Sequence, residues 1–236
     1  MTIPPAIRPL SFRATALLAA LFLVPLHAQE PTETAEARVE RFLNAMGGRA
    51  AWAQVKFAHV EAVHDDLAIA DPFTNKIWND FSAPRVRFEA KNPQLDSRRA
   101  IAGGKGWRSR GGEVSALTPE QVENDRRWWE ANIYRTLHRL ATGDPDLTAR
   151  AVGEHRLEIF RADGSRLNWF VLNQRGEPML FGTWDSETGG AFGPLASNGT
   201  VKYPKWGAMP DGSWRYEIVR FITAAEVPEN ISFTEP

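Results

Sequence analysis

Leu117 to Asp146, LTPEQVENDRRWWEANIYRTLHRLATGDPD, is the one long helical signal in a chain that otherwise reads as strands. Thr118-Pro119-Glu120-Gln121 marks its start: a hydroxyl N-cap, a proline at the first helical position, and a glutamine three residues on that closes a capping box. Gly143 and Pro145 mark its end. Between them Val122, Trp129, Ile133, Leu137, Leu140 and Ala141 recur at helical spacing and fall on one face, which must be buried. Glu123, Arg127, Glu130 and Arg135 lie opposite, with Glu123 and Arg127 in the favourable i, i+4 order. Trp128, Tyr134 and His138 flank the apolar stripe. Two readings of that flank stand: packing on neighbouring strands at the edge of a core, or lining a cavity between helix and sheet.

Upstream, Ala35, Val39, Phe42, Leu43 and Met46 form a second helical stripe, over about Glu33 to Met46, that stops at Gly47-Gly48; Arg49 to Ala53 adds a turn. From Val55 the period changes from 3.6 to 2. Strands are expected over Val55 to Val63, Asn75 to Phe81, Arg85 to Ala90, Arg98 to Ala102, Lys105 to Ser109 and Glu113 to Leu117. Beyond the central helix they resume at Glu154 to Arg161 and Ser165 to Leu172, joined by the Asp163-Gly164 turn, and at Met179 to Trp184. Asp185 to Gly199, rich in glycine and serine, reads as a long loop. Thr200 to Trp206 and Ser213 to Thr223 give a closing hairpin. Roughly ten short antiparallel strands with an N-terminal and a central helix argue an α+β fold, mostly β, built on one large curved sheet or barrel. The stripe of the central helix is the natural cover for the concave face.

Residues 1–28 have the form of a secretory signal: Arg8 and Arg13 in an acid-free leader, an apolar run from Ala14 to Val24 too short to span a bilayer, and Ala28 at the expected cut. The mature chain, 29–236, is expected to be one soluble domain in the periplasm. It contains no cysteine, so disulfides, thiolate metal sites and a cysteine nucleophile are excluded. With 28 basic and 29 acidic residues the net charge is −1; no basic stripe is present, so nucleic acid is not an expected partner.

Motifs for chemistry are sparse. His59, Glu61, His64, Asp65 and Asp66 are the densest group of potential ligands, but side-chain alternation on a strand sends His59, Glu61 and Asp65 to one side and His64 and Asp66 to the other. No metal, cofactor or nucleophile-elbow pattern accompanies them, and none of these is expected. Gly103-Gly104-Lys105-Gly106 reads as a hairpin turn, since no helix follows it. Nine tryptophans are spread over the chain, where they serve a core or floor an apolar cleft.

The order of these elements resembles the periplasmic lipoprotein-carrier (LolA/LolB-like) superfamily, the outer-membrane lipoprotein-sorting proteins. The resemblance rests on an exported chain, the helix ARVERFLNAMGGRAAW (37–52) leading into a first long strand, a meander interrupted by TPEQVENDRRWWEANIYRTLHRLA (118–141), and the closing hairpin. It implies an incomplete, half-open barrel with an apolar concave side and helices as its lid, holding acyl chains in transit. With no cysteine after the signal, a soluble carrier is implied rather than a lipid-anchored receptor. The expected function is therefore non-catalytic: a monomeric periplasmic carrier of a lipid or other apolar ligand, working with a membrane-associated partner protein. Val86, Phe88, Trp107, Leu157, Ile159, Trp169 and Tyr216 are expected on the concave side, with Trp128 and Tyr134 from the lid. The alternatives are an exported hydrolase-like enzyme acting on lipid or glycan through dispersed groups such as His64 and Asp66, and an interaction or assembly module with a solid core.

Overall fold

The computed structural model describes residues 33–184 and 186–234; the signal reading of 1–28 lies outside them. Helix α1 (Ala35–Ala45) starts at Thr34, whose Oγ1 accepts from the Ala37 amide at 3.2 Å, and α2 (Arg49–Gln54) follows. The turn between them needs glycine: Gly47 has φ 115°, and a Cβ there would lie 2.1 Å from the Thr200 carbonyl oxygen. A meander of six antiparallel strands comes next: β1 (Phe57–Asp66), β2 (Phe73–Asp80), β3 (Arg85–Lys91), β4 (Asp96–Ala102), β5 (Lys105–Arg110) and β6 (Glu113–Ala116).

The central segment forms two helices rather than one, α3 (Pro119–Ala131) and α4 (Ile133–Thr142). The capping box at Thr118 and Gln121 is present and Gly143 closes α4 in the left-handed conformation, as the sequence predicts. The break comes at Asn132, which takes extended backbone (ψ 129°) and caps α4 with its own side chain, Oδ1 accepting from the Tyr134 and Arg135 amides. An asparagine N-cap competes with helix continuation through this local bond.

Nine further strands follow: β7 (Leu147–Val152), β8 (Arg156–Arg161), β9 (Arg166–Leu172), β10 (Pro178–Thr183), β11 (Gly190–Phe192), β12 (Leu195–Asn198), β13 (Val201–Pro204), β14 (Trp206–Ala208) and β15 (Trp214–Ala224). The stretch expected as a long loop thus contains β11 and β12. Gly190 lies against the Phe181 ring, closer than any Cβ allows, and Phe192 stacks on Phe181 at 4.1 Å, so the glycine content serves close packing, not freedom.

Among the described residues thirteen strands make one sheet, in the order β6-β5-β4-β3-β2-β1-β15-β14-β11-β10-β9-β8-β7, and β12 pairs with β13 in a side hairpin. The sheet is curved, antiparallel and open, with β6 and β7 as its two edges. The last strand, β15, joins the two meanders by pairing with β1 from Phe57–Ala224 to Asp66–Trp214.

The helices cover the concave face and the core lies beneath them. The main cluster includes Phe42, Leu43 and Met46 of α1, Trp52 of α2, Tyr134, Leu137 and Ala141 of α4, and Ala58, Val60, Leu157, Ile159, Phe170 and Phe221 from the sheet. A second cluster, Val86, Phe88, Ile101 and Trp129, sits under α3, with Ile77, Leu117, Val122 and Trp128 packed on it. At the other end of the sheet Arg38, 1% exposed, points from α1 to the β7–β8 turn, where its guanidinium donates to the carbonyls of Val152, Gly153 and Arg156.

Candidate functional site

The α3–α4 elbow ties the two meanders together. Trp129 Nε1 donates to the Asp80 carbonyl at the end of β2, at 2.6 Å. Asn168 of β9 donates to the Ala131 carbonyl at 3.3 Å and to Thr136 Oγ1 at 2.7 Å. Along α3, Asp125 pairs with Arg99 of β4 at 3.0 Å, while Glu130 pairs with Arg161 of β8 at 3.1 Å and Arg127 lies 4.5 Å over the Trp184 ring. Helix α3 therefore lies across the open side of the sheet, held by polar contacts that range from the buried Asp125 to the half-exposed Arg99.

The structure divides the nine residues expected to line a ligand site. Val86 and Phe88 lie under α3, with Trp128 edge-on to Phe88 at 4.9 Å. Leu157 and Ile159 are fully buried beneath the other helices. Tyr134 is buried between Trp52 and Phe221, and burial raises its phenol well above the ordinary value. Tyr216 faces the same side of β15 as Ile218 and stacks on His64; burial raises its phenol too.

Trp107 and Trp169 do not belong with these and are corrected to the convex face. Trp107 is the cross-strand partner of Ala100, itself the partner of Arg87, so it points away from Val86 and Ile101. Its ring lies under the Arg87 guanidinium and its Nε1 donates to the Phe233 carbonyl of the C-terminal segment. Trp169 pairs with Glu158, between Leu157 and Ile159 in the alternation. Arg156 covers its ring at 4.4 Å and its Nε1 donates to the Ser186 carbonyl. Both rings are buried, by chain segments that wrap the convex side rather than by helices.

The histidine-carboxylate group splits as alternation requires. His59 stacks on Trp78 of the convex face, and Glu61 beside it faces Lys76 and Arg220. His64 is on the concave face between Phe73 and Tyr216, and burial pulls its pKa down to about 4. Asp65 pairs with Arg215. Among the described residues no three His, Asp or Glu side chains are placed to hold a metal ion.

Some buried polar atoms near the elbow lack a protein hydrogen-bond partner, as do His59 Nε2, Arg156 Nε and Trp184 Nε1 elsewhere. Asn79, fully buried on β2 next to the Asp80 that holds Trp129, has neither Nδ2 nor Oδ1 partnered, and Asn168 Oδ1 and Arg135 Nε and Nη1 also lack partners. Arg135 lies 3.8 Å over the Trp129 ring, and burial lowers its pKa to about 10.

Two open clefts are lined largely by charged and polar side chains. One, about 210 Å³, lies between α3 and strands β4 and β5 and is lined by Ser97, Arg99, Arg108, Arg110, Leu117, Gln121, Asn124 and Asp125. The other, about 490 Å³, includes Glu61, Lys76, Glu89, Lys91, Asp96 and Arg98, a charged ladder across β1–β4. The arginines of the first cleft are absent from the sequence-based expectation. Their signal was the repeat Arg108-Ser109-Arg110, which places both arginines on one side of β5.

No family model matches the chain, and no curated protein sequence does. Among solved structures it is similar to a DUF1329 family protein from Desulfovibrio piger, with 8% identity and a TM-score of 0.39 over 85% of this chain and 96% of that one. It is also similar to LprF from Mycobacterium bovis, with 10% identity and a TM-score of 0.32 over 83% and 97%. A third is the Pseudomonas aeruginosa MucA/MucB complex, with 16% identity and a TM-score of 0.32 over 81% of this chain and 59% of that one. Likenesses this distant do not carry function from one chain to another.

Proposed function

We propose that this chain is a non-catalytic, periplasmic binding protein for an amphiphile, whose apolar part lies between α3 and the concave face of β2–β5. The observation that carries the reading is the separation of the second apolar cluster from the main core, under a single helix. Displacing α3, which carries Trp129 with it, exposes Val86, Phe88 and Ile101, whereas the main cluster, apart from Ala131 at the end of α3, is covered by α1, α2 and α4. The elbow at Asn132 supplies the hinge, because α3 and α4 are already separate helices there. Burial of an acyl chain contributes about 0.8 kcal/mol per CH₂, so about ten carbons give micromolar affinity after the costs of association. This is the carrier role implied by the resemblance to the LolA/LolB-like superfamily, moved from the whole concave face to the part beneath α3.

A second reading is favoured by a specific observation: the two clefts are lined largely by charged and polar side chains, and the apolar face is filled by the protein's own helices, as in an interaction module. Native mass spectrometry separates the two. The mature chain is measured as purified, after solvent extraction, and after incubation with a fatty acid of about ten carbons. A one-to-one adduct that is lost in Trp128→Ala and Phe88→Ala supports binding beneath α3. The absence of any adduct overturns it in favour of the interaction module.

A further inference from the structure

We propose that the cleft between α3 and strands β4 and β5 binds a compact oxyanion, a phosphate or carboxylate, and that this is the head group of the amphiphile; the second half of the statement rests on the function proposed above. Three guanidiniums line the cleft against a single carboxylate, Asp125. Arg99 and Arg108 are direct cross-strand partners, an arrangement that like charges disfavour. Asp125 engages Arg99 alone, at 3.0 Å. Arg108 Nε donates to Ser115 Oγ at 3.2 Å. Glu113 stands opposite Arg110 in the register but forms no ion pair with it. Two arginines are thus left without a carboxylate among the described residues, on the same side of β5 and facing the same space. An oxyanion there accepts charge-assisted, bidentate hydrogen bonds from the guanidinium forks, and Ser97, Gln121 and Asn124 offer further polar partners.

The cleft also adjoins the apolar cluster. Leu117 belongs to both, and the Arg99 guanidinium lies 4.2 Å over the Phe88 ring. An anionic head in the cleft therefore has its tail directed at Phe88 and Val86 beneath α3. Asp125 occupies, in the free protein, the position at Arg99 that an incoming oxyanion contests, so the ion pair closing α3 onto β4 is the one an anionic ligand weakens.

Isothermal titration calorimetry at low salt with three probes tests this: decyl phosphate, decanol and inorganic phosphate. Decyl phosphate is expected to bind about tenfold or more tighter than decanol, with inorganic phosphate competing against it. In Arg108→Gln/Arg110→Gln that ratio falls to about one, while Arg108→Lys/Arg110→Lys keeps part of it. Asp125→Asn, which removes the competing carboxylate, tightens decyl phosphate binding, a direction that general damage to the fold does not produce. Equal affinity for decyl phosphate and decanol in the native chain overturns the oxyanion site and leaves the acyl-binding reading standing. Inorganic phosphate and decyl phosphate binding alike, both lost in the double glutamine variant, uphold the oxyanion site, identify a free anion as its ligand and overturn the acyl-binding reading. No binding of any probe overturns both.

Discussion

The two meanders are built from the same kind of strand and covered in different ways. Strands β7–β10 lie under α1 and α4, and their inward side chains, Leu157, Ile159, Leu167 and Phe170, are at most 2% exposed. Strands β2–β5 lie under α3 alone, whose buried contribution is chiefly Trp129 and whose rim is held by Arg99, half of whose side chain is exposed. Equal strand content thus gives unequal cover: one meander is a core, the other a surface closed by a removable helix. Local stability follows buried apolar area and hydrogen-bond protection, so α3 should open before α4.

The largest effect expected from this contrast is on the core side. Phe42→Ala, at a fully buried position packed against the Phe170 ring, should cost about 3–5 kcal/mol in urea denaturation. Phe88→Ala should cost less, because α3 settles onto the space left behind. Equal losses would mean that both clusters unfold as one unit and would remove the distinction. Next in size is the response to acid. Burial holds His64 neutral, with its pKa moved from 6.5 to about 4, so the unfolded chain takes up a proton that the folded chain refuses. Stability is therefore complete above pH 6.5 and falls toward pH 4, by up to about 3 kcal/mol from this residue. His59 and His138 are shifted the same way by burial, whereas Glu33, held down to about 2 by Arg41, acts only below 4.5. Melting temperatures of His64→Phe should be flatter than those of the native chain between pH 6.5 and 4.5; parallel curves would show that His64 is not held neutral.

A smaller effect with opposite sign is expected at the elbow. Asn79→Leu removes two unpartnered polar atoms from a fully buried site and should raise stability by about 1–2 kcal/mol. A loss instead would mean that Asn79 is hydrogen-bonded in solution. The smallest change in global stability belongs to Asp125→Asn, under about 1 kcal/mol because Arg99 is half exposed. Amide hydrogen exchange should nevertheless quicken across Pro119–Ala131 and stay unchanged across Ile133–Thr142; the same rate change in both helices would show that the elbow transmits rather than isolates motion.

What could be read from the sequence follows from which signals are local. The capping box at Thr118, the glycine stops after Met46 and Thr142 and the hairpin at Asp163-Gly164 are set by neighbours in the chain, and the structure has each of them. The break at Asn132 was hidden because Trp129 and Ile133 keep the helical spacing across it. The sidedness of Trp169 was equally silent: Asn168, Trp169 and Phe170 are all buried, so alternation has no polar member to mark the outward face. Trp107 lies between Gly106 and Arg108, and only its register against Ala100 reveals its side. The arginine cleft depends on β4 and β5 pairing so that Arg99 meets Arg108, a relation between strands that neither strand carries alone.

The open sheet has a further consequence for the protein as a population of molecules. Among the described residues each copy carries two strand edges with no neighbour, β6 and β7, and such an edge is a template for adding the next copy. At one end β6 is four residues long with every side chain exposed, too short to support a lasting ladder. At the other, the turn after β7 is pinned by the buried Arg38 guanidinium, which takes the carbonyls of Val152, Gly153 and Arg156. These two ends govern whether a concentrated solution of the protein stays dispersed or grows into fibres.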